Sequence, residues 1–275
     1  MLECRVAAHS IAKFKYEDVN ALRKHSDTLP GTLGNSILRH SDEQTLSVLV
    51  AVRDAVAQIE QPTDFSGWGV VVSTRYLGRS AFADALLKFA SDGPWNVSVQ
   101  VVPNRSLHSP ASMVGLALGC HGPCVGVGGG LDGEADAWLT AATLLDQQAL
   151  PGIWLIFAGW DPDTQIDDEG IPRAATQCTG LAIALQSTGG TTEFNEADHA
   201  RLRIIFDPSS PSEIEVPARN TALSLFEAFS VDPHRERGMN AVLGGGLRAE
   251  LNWQHATVST IPLPSMIPAA KKKAA

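Results

Sequence analysis

The sequence is short of most features that would commit it to a specialised class. No apolar run approaches the roughly 18 residues needed to cross a bilayer. Four cysteines in 275 residues, Cys4, Cys120, Cys124 and Cys178, are too few for a disulfide scaffold in a chain this long. Cys120 and Cys124 lie close together, but no second Cys or His pair stands at zinc-ligand spacing, so no metal is expected. Basic charge is scarce: 21 Lys and Arg against 30 Asp and Glu leave a net charge of −9. An acidic chain is a poor nucleic-acid binder, and the only basic run, Lys271-Lys272-Lys273, is expected to be a solvated tail. The first twenty residues are mixed and polar, unlike a signal peptide, so a cytoplasmic, reduced protein is expected. Aromatic residues make up only 6%.

Small and aliphatic residues take their place. Hydrophobic residues are 44% and charged residues 19%, enough apolar surface for a core and against disorder. Abundant Ala, Val, Leu and Gly with few rings suggest closely packed α/β layers. Apolar periodicity predicts a helix over 41–60, with Ser41 and Gln44 as a capping box, and a buried strand over 67–74. A second helix is expected over 80–91, stopped by Asp92-Gly93-Pro94, then a strand over 97–102 closed by Pro103. A small-residue helix opens on Pro110 and runs over 109–118. Residues 123–158 read as strand, glycine turn, long helix from 133 to 148, and strand. Segments 178–186 and 201–206 are expected to be neighbouring antiparallel strands. Residues 218–231 read as a helix, 240–253 as a glycine loop running into a last strand, and 257–275 as an extended tail.

The glycine turn Gly128-Gly129-Gly130-Leu131-Asp132 admits three uses. It could cradle a phosphate at a helix N-terminus, but Asp132, Glu134 and Asp136 would repel one, and no P-loop lysine follows. It could be a nucleophile elbow, but no Ser, Cys or Thr stands at its apex. Or the glycines simply let helix and sheet, or a dimer seam, approach closely.

The stretch 103–145, PNRSLHSPASMVGLALGCHGPCVGVGGGLDGEADAWLTAATLL, resembles the N-terminal half of the β-ketoacyl-ACP synthases of the thiolase fold. Gly122-Pro123-Cys124 matches the family's Gly-Pro-Cys/Ser, and counting on, Leu131 falls where the family has its cysteine nucleophile. The strands at 69–74, 153–163 and 178–187 resemble those around that nucleophile. More loosely, 240–253 resembles the family's C-terminal glycine loop, with Asn240, Gly245 and Gly246 at matching positions. The likeness is greatest to the short relatives that resemble chain length factors. It implies a layered α-β-α fold with an abbreviated second half: a ketosynthase-like half over 1–190, a shortened half over 191–256 completing the sheet, and the tail.

The departures from the family carry the functional expectation. A working ketosynthase uses a thiolate and two imidazoles. Here Leu131 replaces the cysteine, and no His-Gly-Thr-Gly-Thr segment is present. No catalytic residue is therefore expected. Gly129, Gly130, Leu131, His108, Met113, Asn240, Gly245 and Gly246 are the expected pocket residues, with Leu116 and Leu118 as further tunnel lining. No cofactor is expected. The implied role is a degenerate subunit that pairs with an active ketosynthase through the strand at 123–128, with an acyl carrier protein as a further partner. Two other possibilities stand beside it: a thiolase-fold enzyme using His108 or Cys124, and a plain homodimeric scaffold. His121 is expected to be a polar turn residue, Cys124 a small core residue, and the acidic loop at Asp161, Asp163, Asp167, Asp168 and Glu169 a solvated face.

Overall fold

The structure is a computed structural model. It describes residues 2–24, 41–59, 63–74, 79–128, 133–147, 150–161, 177–187, 200–206, 221–231, 239–244 and 246–252. In chain order the elements are β1 (Leu2–Lys15), α1 (Val19–Lys24), α2 (Glu43–Val56), β2 (Gly69–Thr74), α3 (Arg79–Asp92), α4 (Val101–Arg105), α5 (Ser109–Leu118), β3 (Cys124–Gly128), α6 (Gly133–Gln147), β4 (Gly152–Asp161), β5 (Gln177–Ser187), β6 (Ala200–Phe206), α7 (Thr221–Val231), β7 (Met239–Gly244) and β8 (Leu247–Asn252). The eight strands form one sheet in the order β3-β2-β4-β5-β1-β6-β8-β7. β2 runs parallel to β3 and β4, and every other neighbouring pair is antiparallel.

Alternation along the strands divides the core into two layers. Val71, Ile153, Leu155, Leu181, Ile183, Leu202 and Ala249 face α6 and α7. Val70, Val72, Trp154, Ile156, Ala182 and Ala184 face α2 and α5. Strands β2, β4 and β5 are thus apolar on both sides, which is why they read as continuous hydrophobic runs rather than as alternation.

The α2 layer depends on small residues. Under α2 the sheet presents Gly180, Ala182 and Ala184 from β5 and Ala8 and Ala12 from β1. A Cβ on Gly180 would stand 2.5 Å from the Ser47 carbonyl oxygen, so the helix backbone lies almost on the strand. Ser47 Oγ donates to the Gln44 carbonyl at 2.8 Å and lies 3.2 Å from that of Thr179. Asp42, one residue after the expected Ser41, is the true N-cap: its carboxylate accepts from Thr45 N–H at 2.8 Å. Such a cap stabilises by about 1 kcal/mol.

Three expectations are corrected. Residues 97–102 are not a strand: they form a turn leading into α4, and Val99 is 86% exposed. No described strand lies beside them, and Pro103 falls in the first helical turn, where its missing N–H leaves no bond unmade. Segments 177–187 and 200–206 do not pair with each other. β1 lies between them, antiparallel to both. The polar-looking N-terminus is therefore the strand joining the two parts of the sheet. Its alternation is hidden by a bulge between Val6 and Ala8, which moves the inward positions from Cys4 and Val6 on the α6 side to Ala8 and Ala12 on the α2 side. Finally, 239–244 is not a loop but the first arm of a hairpin with β8, turned at Gly246 with φ +76°. The tail at 257–275 and the acidic residues Asp163, Asp167, Asp168 and Glu169 lie outside the described residues. No described helix is long and apolar enough to cross a membrane.

Two measurements follow. Gly152 lies beneath Trp68, and a Cβ there would stand 2.6 Å from the indole ring. Trp68 is wedged between Phe65 and Trp154, with ring centroids 5.0 and 6.0 Å away, so it has little room to yield. Gly152→Ala should cost about 1–3 kcal/mol, read as a lower denaturant midpoint. His9 lies against α7, its Nε2 3.1 Å from Ser230 Oγ and its ring centroid 5.2 Å from that of Phe226. Ser230 Oγ donates to the Phe226 carbonyl at 2.8 Å, so the imidazole is the donor to the hydroxyl. Burial pushes the His9 imidazole down to about 4 from its ordinary 6.5. The folded state thus favours neutral His9, and this stability is present above pH 6.5 and lost as the pH falls toward 4. Thermal melts should show a Tm decline over that window that is shallower in His9→Gln.

Candidate functional site

β2 and β3 end together, while β4 runs on beside them to Asp161. Thr74 at the end of β2 is in register with Gly128 of β3 on one side and Ala158 of β4 on the other. Helix α6 starts at this end, and Ser73 Oγ donates to the Gly133 carbonyl at 3.0 Å, tying its first residue to β2. The carboxyl ends of parallel strands beside a helix N-terminus form the crevice where α/β folds place ligands. Thr74 is buried, and its hydroxyl has no hydrogen-bond partner here. Such an orphaned hydroxyl is costly in a packed interior.

Glycines let a neighbouring loop close over this end. A Cβ on Gly128 would stand 2.3 Å from the Thr74 carbonyl oxygen, with a Leu107 methyl at 3.1 Å. A Cβ on Gly126 would stand 2.5 Å from the Leu107 carbonyl oxygen and 2.7 Å from His108 Cα. The loop before α5 therefore lies flat on β3. Its shape is held by Ser109, whose Oγ donates to the Pro103 carbonyl at 2.7 Å and accepts from Ser106 N–H at 2.9 Å. His108 occupies the N-cap position of α5, makes no side-chain cap bond and is exposed beside β3.

The expected pocket residues divide. Gly129, Gly130, Leu131 and Gly245 lie outside the described residues. His108 lies over the strand that leads to the turn. Met113 is buried in the layer between α5 and α2. Leu116 is 62% exposed, while Leu118 packs partly against the core. Asn240 and Gly246 belong to the hairpin at the far edge of the sheet. Met239, Ala241 and Leu243 face the α6 layer, so Asn240 points from the opposite face. Gly246 is explained by its hairpin turn, whose positive φ favours glycine.

The acidic start of α6 has a structural use that its sequence does not reveal. The Glu134 carboxylate accepts from the backbone N–H of Ala222 in the first turn of α7. A side chain that looked only repulsive to phosphate thus satisfies an orphan donor of another helix. Ser73, Thr74 and Leu107 were not among the expected site residues. The one local signal for the first two was a polar pair ending the apolar run GVVVST.

No described thiol is activated. Burial pushes Cys4 and Cys120 up to about 12, the latter helped by its neighbour Cys124, and raises Cys124 and Cys178 as well. Cys124 begins β3, four residues from the Gly128 end and therefore roughly 13 Å from it. Its sulfur packs against Gly115 of α5 and lies 3.8 Å from the Gly122 carbonyl oxygen. His121 sits at that same distant end, its N–H bonded to the Ser66 carbonyl at 2.8 Å. Among the described residues no group of three or more His, Cys, Asp or Glu is disposed to hold a metal.

No family model matches the sequence, and no curated protein matches it. Solved structures do. The chain is similar to the structure described as a ketosynthase (ApeO) in complex with its chain length factor (ApeC) from Xenorhabdus doucetiae. The TM-score is 0.55 at 11% identity, over 92% of this chain and 100% of that one. It is similar to "the ishigamide ketosynthase/chain length factor", with a TM-score of 0.50 at 16% identity over 76% of this chain and 69% of that one. It is also similar to a type II acyl-carrier protein in complex with its ketosynthase bound to the hexaketide. There the TM-score is 0.52 at 11% identity over 86% of this chain and 75% of that one. 

A β-ketoacyl synthase from Burkholderia phymatum is similar as well, with a TM-score of 0.51 at 11% identity over 84% of this chain and 70% of that one. The chain thus has the layered α/β fold of the thiolase-like ketosynthases.

The thiol assignment has a direct test. At pH 7.5 the native protein should react with iodoacetamide at least tenfold more slowly than the same protein in guanidinium. A thiol that labels faster in the native state would restore an activated cysteine.

Proposed function

We propose that this chain is a ketosynthase-like subunit without a nucleophile of its own, which pairs with a catalytically complete ketosynthase and shapes or stabilises an acyl-chain condensing site. The observation that carries this reading is the position of β3. It is the edge strand of the sheet, partly exposed, and it ends at the turn where the resemblance puts the nucleophile. An open edge is a template for strand addition. A second protomer pairing there would bring its own elbow beside this one, and a leucine at position 131 would fill volume without being acylated.

Three further facts support the reading. The thiols are raised rather than lowered in pKa, which leaves an independent Cys124 chemistry without an activated nucleophile. β6, β8 and β7 extend the first sheet, in keeping with a shortened second half. Two of the similar structures are described as ketosynthases with chain length factors, and the match to the Xenorhabdus pair runs the whole length of the matched chain.

Incubation with an acyl carrier protein thioester should leave the mass of this chain unchanged, while the cysteine of a co-purified ketosynthase is acylated. Acylation or turnover by this chain alone would overturn the proposal.

A further inference from the structure

We propose that β7 is a self-association edge: two copies of this chain pair antiparallel, β7 to β7, about a two-fold axis at Ala241. The strand lies at the end of the sheet opposite β3, and among the described strands only β8 pairs with it. Its sequence, MNAVLG, holds no charge and no proline, two of the devices that usually blunt an edge. Its register with β8 is regular from Met239 to Val242 and shifts only before Gly244. Met239, Ala241 and Leu243 face the layer of α6 and α7. Asn240 is exposed on the opposite face, and Val242 is 51% exposed there.

The strand is complementary to itself. Residues directly opposed in an antiparallel pair share a face. An axis at Ala241 sets Met239 against Leu243 of the second copy and Ala241 against Ala241 of the second copy, which continues the apolar layer. On the outer face it sets Asn240 against Val242 of the second copy. The neighbouring strand then fixes the charge pattern. Glu250 is in register with Asn240, and Arg248 with Val242. These two side chains form an ion pair at 3.1 Å and stay 22% and 47% exposed. The row through Glu250 and Asn240 therefore runs on into Val242 and Arg248 of the second copy. Asn240 and Val242 are short, so the carboxylate and the guanidinium lean toward each other above them across three strand spacings, roughly 14 Å between backbones. An axis at Val242 also matches faces, but it puts Arg248 in one row with Arg248 of the second copy. Opposite charge thus selects the axis at Ala241.

Each copy carries a net charge of −9, which opposes association in general, and an uncharged strand is a seam along which two such bodies can meet. A two-fold contact of one patch with itself closes at two copies. The strand is short, so the contact falls below the roughly 1,000 Å² of a stable interface and the dimer is a weak one. The inference does not rest on the pairing proposed at β3, which uses the other end of the strand order.

The test uses the full-length chain alone in sedimentation velocity, from about 5 to about 500 μM, the range of a weak contact. The wild type should pass from monomer to dimer. Val242→Glu should raise the dissociation constant at least tenfold with an unchanged Tm, because the new carboxylate meets Glu250 of the second copy while lying beside its own Arg248. Val242→Lys should change it less than threefold, since its ammonium lies near that same Glu250. A second measurement needs no charged variant. Asn240→Cys mixed with Val242→Cys, under oxidised glutathione, should give at least fivefold more cross-linked dimer than either variant alone. A wild type that stays monomeric throughout, or a dimer undiminished in Val242→Glu, would overturn the edge. Equal weakening by Val242→Glu and Val242→Lys, or Val242→Cys alone cross-linking as well as the mixture, would overturn the axis at Ala241. None of these results bears on whether a ketosynthase is recovered through β3.

Discussion

The architecture depends on where β1 lies. Its antiparallel ladders to β5 and β6 join strands β3-β2-β4-β5 to strands β6-β8-β7, and no other described strand bridges the two groups. One bulge lets the same strand serve both layers. Before it, Cys4 and Val6 complete the α6 and α7 layer. After it, Ala8 and Ala12 provide part of the floor for α2. A β1 without the bulge would keep one parity throughout and point one set of these residues into the wrong layer.

Small residues then set how closely the layers approach. Gly180, Ala182 and Ala184 let α2 lie against β5, and Gly126 and Gly128 let the loop at Leu107 and His108 lie against β3. The scarcity of aromatic residues fits this design. Trp68, Trp154 and Phe65 pack on one side of the sheet, and Trp138 and Phe157 on the other. Trp95 stands outside both layers.

The two ends of β3 have different chemical characters. Toward the Gly128 end lie a buried hydroxyl, a helix N-terminus and an exposed histidine. At the Cys124 end are thiols whose burial keeps them protonated. Between them runs an edge with which no other described strand but β2 pairs.

Elements whose signal is local were legible in the sequence. The apolar runs of β2, β4 and β5, the 3.6-residue period of α2 and α6, the Gly93-Pro94 stop and Pro110 at a helix start all act through neighbouring residues. They are found within a few positions of where they were expected. The likeness in residues 103–145 also pointed to the fold that the solved structures share. Tertiary structure decided the rest. A strand is completed by bonds to residues far away in the chain, so β1 could look polar and yet lie mid-sheet, while 97–102 could alternate and find no neighbour. The use of Glu134 as a cap for α7 and the exposure of Trp95 depend in the same way on which elements come together. Local periodicity says which face of an element is apolar; only the packed chain determines what covers it.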